Sequence, residues 1–386
     1  MRPRAVSSVG TMERERHANP APFSRRVVTA VRSRPRVAVV PGDGASPGAM
    51  AATLDVLYAA DVDIDFDVLP DGAVLKALSP TERGEVVHPR LDAADSVLLG
   101  STGGITPGPI YLRYQRGTWA NLRPVQWRRG FASPYAQPEG IDYLIVRECH
   151  EDLYIGFEGE LATLRASGLA EGIRGVRVPP GIDGRYAVKI ITRDFTERIA
   201  HRACQETVSR KAAGYPGRLT IGAKTNMLTV TDRFFADICA EVGSQYPIEV
   251  ETVIIDDLAH RLALRPHDFD VVVLPNQYGD ILADGGAGQV GGMTLTPSGC
   301  FGDDFAYFEA PQGAPAPADQ ADVVNPTALM LAGAWLLRHV GQIAAGDRVD
   351  AAVSAVYAAG VVLPIDQGGS ATTVQFAAAV IEALGG

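Results

Sequence analysis

Residues 269–292 read FDVVVLPNQYGDILADGGAGQVGG, and the rest of the chain is organised around them. The run 270–274 is β-branched, too short for an ordinary helix and bounded by Pro275, which predicts a parallel-sheet strand covered on both faces. The chain then becomes helical, and Asp280 and Asp284, four residues apart, share one face of that helix near the strand end. Two uncompensated carboxylates there repel unless a cation sits between them. A hard divalent ion that takes oxygen ligands, Mg²⁺ or Mn²⁺, resolves that conflict. A solvated helix face explains a lone D-x-x-x-D equally well, so the neighbouring segments decide.

Upstream, strand 249–255 ends in Asp256 and Asp257, a third acid at a strand end and enough to complete a metal cage. Strand 219–222 leads into Lys224. A strand-end lysine whose pKa is lowered by nearby cations and desolvation suits a proton acceptor, while a solvated end-cap is the plainer role. Strand 142–146 delivers Arg147 and, beyond an exposed His150, Tyr154. Arg113, on a helix over 110–115, and Arg123, in an extended segment around Pro124, make a natural carboxylate clamp, although isolated surface arginines are common. The first strands, 37–40, 64–69 and 96–99, alternate with helices over 49–60 and 73–78. Two of these strands run into the loops PGDG (41–44) and GSTGG (100–104). This pattern is an α/β sheet with ligands at the strand carboxyl ends. PGDG is neither a G-x-G-x-x-G nor a Walker sequence and is compatible with a tight turn that binds nothing. Downstream lie a Pro/Ala-rich loop (311–324), an apolar helix to 337 and a last helix capped by Ser370 or Thr372.

The 386 residues are 46% hydrophobic and 21% charged, room for two domains or one large α/β unit, with no apolar run that could cross a bilayer. A formal charge of -10 argues against nucleic-acid binding, which needs a basic surface. Cys149, Cys204, Cys239 and Cys300 are widely spaced without C-x-x-C, so neither zinc nor a disulfide framework is indicated, and a reducing cytoplasm is the expected location. Residues 1–36 carry nine arginines against two glutamates with no apolar periodicity, a disordered basic extension.

Taken in order, PGDG at 41–44, NLRPV at 121–125, VRE at 146–148 with EDLYIG at 151–156, KTNML at 224–228, IDD at 255–257, GDILAD at 279–284 and VNPTAL at 324–329 resemble the β-decarboxylating dehydrogenases that act on isocitrate, 3-isopropylmalate, homoisocitrate and tartrate or D-malate. The resemblance runs from residue 37 onward. It implies a two-domain α/β fold of the isocitrate/isopropylmalate dehydrogenase type, with a large mixed β-sheet flanked by helices. Residues 37–118 and 291–386 would form the larger, cofactor-binding domain and 119–290 the smaller substrate and dimerisation domain. It further implies metal-dependent oxidative decarboxylation of a hydroxy diacid or triacid with a nicotinamide cofactor. Asp256, Asp280 and Asp284 would hold Mg²⁺ or Mn²⁺, and Arg113, Arg123 and Arg147 would grip the carboxylates. Lys224 would take the hydroxyl proton, Tyr154 would protonate the enol, and Ile110 would face the substrate's third substituent. Ser101, Thr102, Glu309, Gln312 and Asn325 would line the cofactor. Lys224 and Asp256 would reach the site from the partner of a homodimer.

Departures from the family pattern bear on specificity. Gln312 stands where members carry histidine, and Pro317 where an acid selects NAD or a basic residue NADP, with Asp319 two positions late. No new Lys or Arg in this loop meets a 2′-phosphate, which favours NAD and leaves NADP possible. Pro107-Gly108-Pro109-Ile110-Tyr111 fits neither the isocitrate nor the isopropylmalate selector, and Cys149 replaces the asparagine of R-E-N. A non-catalytic, ligand-sensing homologue with an altered dinucleotide loop is the alternative reading.

Overall fold

A computed structural model describes residues 34–169, 171–312 and 317–385; residues 1–33 of the expected basic extension and four residues of the 311–324 loop lie outside them. Arg36, placed by sequence in the extension, is the first residue of β1 and pairs with Asp67 at 2.7 Å. The strands are β1 (Arg36–Val40), β2 (Asp65–Val68), β3 (Ser96–Leu99), β4 (Ala120–Gln126), β5 (Asp142–Glu148), β6 (Glu158–Glu160), β7 (Arg185–Ala187), β8 (Arg218–Ala223), β9 (Glu249–Ile254), β10 (Val271–Leu274), β11 (Ser298–Phe301) and β12 (Ala306–Glu309). Ten form one mixed sheet in the order β2-β1-β3-β12-β11-β4-β5-β10-β8-β9, and β6 and β7 pair separately.

Strands β2, β1, β3 and β12 are parallel to one another, as are β5, β10, β8 and β9. Between these wings β11 runs antiparallel to both β12 and β4, and β4 antiparallel to β5, so the two wings point in opposite directions. The one-sided arrangement of carboxyl ends that the sequence predicts therefore holds within a wing but not across the sheet. Register brings them together over a face instead: Leu99 lies beside Glu309, and Glu309 beside Ser298. Two residues along the same strands, Cys300 is beside Asn121 and Asn121 beside Arg147.

Strand alternation gives the sheet two unequal faces. On one, a single apolar cluster runs across the strands through Val39, Leu98, Phe308, Leu122, Val146, Val273 and Ile221. On the other, the apolar side chains form two separate clusters, one around Val97, Leu99 and Tyr307, the second around Tyr143, Ile145 and Leu274. Glu309, Ser298, Asn121, Arg123 and Arg147 occupy the strip between them.

The helix Asn276–Gln289 crosses that strip. Its glycines explain how closely it lies: a Cβ on Gly279 would stand 2.7 Å from Cβ and Cγ of Arg147, and one on Gly286 2.7 Å from the Tyr143 hydroxyl and Val125 Cγ2. Small residues cost helix propensity here but let the backbone approach the sheet.

Four sequence expectations need correction. The helix Pro80–Asp92 is absent from the pattern reading, yet Ser79 and Glu82 form a full capping box at its start. β11 and β12 also go unread, because each is four residues long and Ser298 and Glu309 turn to the polar strip. Asp256 sits in the first turn of the helix Ile255–Leu264, which follows β9 without a loop. His150 is half-buried rather than exposed, stacked on Phe195 and edge-on to Tyr114. The four cysteines are free and buried, and Thr372 is the residue that caps the final helix, exchanging hydrogen bonds with Gln375. No described helix is long and apolar enough to cross a membrane.

Candidate active site

The polar strip is a continuous hydrogen-bond network. Asn121, with no exposed surface, donates from Nδ2 to Ser298 Oγ (2.7 Å) and Cys300 Sγ (2.8 Å), and Ser298 Oγ donates to Glu309 (3.2 Å). The Asn121 amide oxygen accepts Arg123 Nε at 2.9 Å, which turns Nη1 of Arg123 to Asp284 at 3.1 Å. Arg147 is held the same way: Nε and Nη2 both donate to Asn276 Oδ1, at 3.0 and 2.7 Å, while Nη1 reaches Asp280. Burial and repulsion from Arg113 push the Arg147 pKa down, and Asp280 opposes the shift. Asp280 and Asp284 are thus compensated within the chain by guanidinium groups, and the repulsion that the sequence predicts between them is already answered. Burial, with the charge of Asp280, raises the pKa of Asp284, and Arg123 pulls it back.

Arg113 enters from a single π-turn, Tyr111–Gln115, in place of the expected helix; Arg116 N donates to Tyr111 O, five residues back, at 3.1 Å. Its Nε is buried without a protein partner, as a group awaiting an anionic ligand would be. The loop leading to it is held by the acid of PGDG. Asp43, buried, accepts the amides of Gly103 (2.5 Å), Ile105 (3.1 Å) and Thr106 (3.2 Å), so PGDG fastens the next loop. Tyr154 lies under the Arg147 guanidinium at 5.7 Å, and burial, then Asp280, keeps its phenol protonated to higher pH.

These side chains surround two adjoining cavities. The first, about 250 Å³, is lined by Arg113, Arg123, Arg147, Tyr154 and Asp280, with Ser101, Thr102 and Glu309 on its wall. The second, about 810 Å³, is lined by Asp284, Asn325, Asp366 and the backbone of Gly291 and Gly292. Ser101, Ala310 and Gln312 line both. Gln312 is joined to Ser101 at 3.4 Å and leaves a buried Nε2 unpartnered. Asn325 donates to Tyr357 Oη (3.2 Å) and Asp366 (3.1 Å).

Three residues stand apart. Pro109, not Ile110, lines the first cavity, and Ile110 is 75% exposed. Lys224 and Asp256 pair with each other and line neither cavity. Among the described residues no group of three acids, histidines or cysteines could hold a metal. Asp280 and Asp284 offer oxygen donors on one helix face, the donor type a hard cation takes but too few to enclose one. Sequence reading missed Asn121, Asn276 and Ser298: Asn121 shows only as a polar residue two before Arg123 in an otherwise apolar strand, which does not tell what its amide holds.

Residues 36–383 match the family model described as isocitrate/isopropylmalate dehydrogenase. The chain belongs to this family. Its members are oxidoreductases acting on hydroxy acids, with a dinucleotide and a divalent metal as general requirements. One relative is the 3-isopropylmalate/3-methylmalate dehydrogenase of Methanocaldococcus jannaschii, 35% identical over 345 residues, covering 89% of this chain and 96% of that protein. The isocitrate/homoisocitrate dehydrogenase of Thermus thermophilus is 33% identical, covering 90% and 98%. Among solved family structures, isocitrate dehydrogenase from Methylococcus capsulatus superposes with a TM-score of 0.75 at 27% identity, covering 90% of this chain and 99% of that one.

Proposed function

We propose that the protein is a metal-dependent, nicotinamide-linked oxidative decarboxylase of a 3-substituted malate, working as a homodimer whose two sites each use both subunits. The observation that carries this reading is the convergence of Arg113, Arg123 and Arg147 with Tyr154 and Asp280 on one small cavity. Three guanidinium groups there suit a polyanion, and Asn121 and Asn276 orient two of them before it arrives. Asp280, Asp284 and the partner subunit's Asp256 would hold Mg²⁺ or Mn²⁺, which would supply acidification of the substrate hydroxyl, and the dinucleotide would supply a hydride acceptor.

The chain's own groups manage the protons and charges. The partner subunit's Lys224 accepts the hydroxyl proton as C2 is oxidised. The three arginines hold the carboxylates while the bond from C3 to its carboxyl carbon breaks, leaving CO₂ and an enol. Tyr154, a neutral phenol at physiological pH, then delivers a proton to C3. Within one chain Lys224 is away from the cavity, which supports its use in trans. So do exposed apolar side chains beside it, Met227, Leu228 and Val230, and others on the arm, Leu169, Ile173 and Val176.

The larger cavity suits the dinucleotide, with the half of the sheet built from 37–118 and 291–386 as its support. NAD is favoured over NADP: the charged residues lining it are Asp284 and Asp366, with no Lys or Arg among the described lining residues, so a 2′-phosphate meets no cation. Purified protein with Mn²⁺, assayed for nicotinamide reduction over a panel of malate derivatives, tests the reading. Turnover with NAD on at least one supports it; no reduction of NAD or NADP by any overturns it.

A further inference from the structure

Behind the site lies a buried charge cluster that the chemistry above does not use. Lys189, just beyond β7, places its ammonium 2.7 Å from Asp232 Oδ1 and 3.5 Å from Asp152 Oδ1; its side chain is 10% exposed and both carboxylates are wholly enclosed. Both contacts are ionic, since Nζ makes no hydrogen bond. The ring of Tyr278 stands over the ammonium at 4.4 Å. A lone buried cation between two buried acids is retained only if all three are fixed in place, since removing one leaves uncompensated charge.

Each acid also holds a segment of backbone. Asp152 accepts the amides of Leu153 (2.8 Å) and Gln277 (3.0 Å), tying the turn Asp152–Ile155, which carries Tyr154, to the start of the helix that carries Asp280. Its own backbone has φ +72°, a left-handed conformation that a non-glycine residue keeps only where its surroundings impose it. Asp232 accepts the backbone amide of Lys224 at 2.7 Å. Lys189 therefore joins the turn bearing Tyr154 to the loop bearing Lys224.

We propose that Lys189 is a positioning residue that couples the two active sites of the dimer. This rests on the dimeric reading above. In that assembly Tyr154 and Asp280 serve their own subunit's cavity while Lys224 serves the partner's, so one buried cation sets geometry at both sites. Losing it displaces the proton donor of one site and the proton acceptor of the other.

The test uses differently tagged subunits, co-expressed and purified as mixed dimers. Lys189→Met paired with Asp232→Asn is the working variant, because it removes one charge of each sign and keeps an acceptor for the Lys224 amide, whereas Lys189→Met alone leaves two buried acids unpaired. Dimer mass, cofactor affinity by calorimetry, kcat, KM and the solvent deuterium effect on kcat are measured. In the variant homodimer kcat falls by roughly tenfold to a hundredfold with cofactor affinity retained, and the solvent isotope effect rises as proton transfer becomes limiting. The mixed dimer, with one intact and one variant subunit, turns over below the mean of the two homodimers, because each of its sites contains one displaced group. A mixed dimer at the mean overturns the coupling alone. An unchanged kcat and isotope effect in a folded variant homodimer overturns it too. A monomeric but active wild-type protein overturns the dimeric reading and the coupling with it.

Discussion

Asp280 takes charge from two directions, Arg147 through Nη1 and Arg123 at 3.9 Å, and still keeps about a third of its side chain open to the cavity. Under the proposed function, a carboxylate so placed would move from guanidinium to metal without leaving its neighbours bare, since substrate carboxylates would replace it at the arginines. Asp280→Asn is expected to keep the fold, with a melting temperature lowered because the buried Arg147 loses a counter-charge, and to abolish Mn²⁺-dependent turnover. Retained activity would remove Asp280 from the metal site. Glu148 makes a separate prediction. It accepts the amides of His150 (2.6 Å) and Glu151 (3.1 Å), yet burial outweighs both bonds and raises its pKa to about 8. A raised carboxyl pKa means that the folded chain keeps a proton the unfolded chain gives up. Its contribution is neutral below the ordinary Glu range, then reduces stability as pH rises, by at most about 1.4 kcal/mol per pH unit, and levels off above pH 8. Denaturant titrations from pH 5 to 8 should show that decline in the parent and a shallower one in Glu148→Gln; parallel curves would contradict the assignment.

At the scale of elements, the helix Asn276–Gln289 shows how a glycine-rich segment is used. Gly279→Ala raises intrinsic helix propensity by about 0.8–1 kcal/mol, but its methyl would press on the Arg147 stem. The expected result is a lower melting temperature together with a raised KM for the acid substrate, read by thermal scans and initial rates; an unchanged KM would mean that Arg147 is not set by this contact. Much of this element is legible in sequence: the β-branched run, Pro275 and the spaced acids identify the strand, the turn and the helix. Two of the elements that stay hidden serve the site. β11 and β12 are short and carry Ser298 and Glu309 where a core strand would carry apolar residues, so pairing with β4 and β3 specifies them more than local pattern does. Charged groups of the candidate site are legible because their chemistry is distinctive. Asn121 and Asn276 are not, because an amide that orients an arginine has no signature until its partner is seen.

For the whole molecule, the proposed dimer would decide whether the chemistry is complete. The arm that contains β6 and β7 exposes Leu169, Ile173 and Val176, an apolar surface of the kind that a second copy covers. Ile173→Asp combined with Val176→Asp should shift the protein from dimer to monomer in sedimentation and cost turnover in proportion, while each monomer keeps its fold. A fully active monomer would place Lys224 in the site of its own chain. The length leaves room for two domains or one large α/β unit, but nothing in it shows that the site lies at a reversal of strand direction.

That reversal has a mechanical meaning. The cluster on the rear face is unbroken from one wing to the other, while on the front the two apolar lobes face each other across charges and solvent. The joint between them, β11 against β4, is three registered pairs long, against seven between β4 and β5. The sheet is therefore built like a book whose spine is the rear core. Sliding one half past the other would tear dense packing, whereas a change of angle opens only the front. In the proposed reaction, entry of the acid, exclusion of water and exit of CO₂ would all be governed by how far the covers part, with Arg113 carried on one page and Arg123, Arg147 and the two acids on the other.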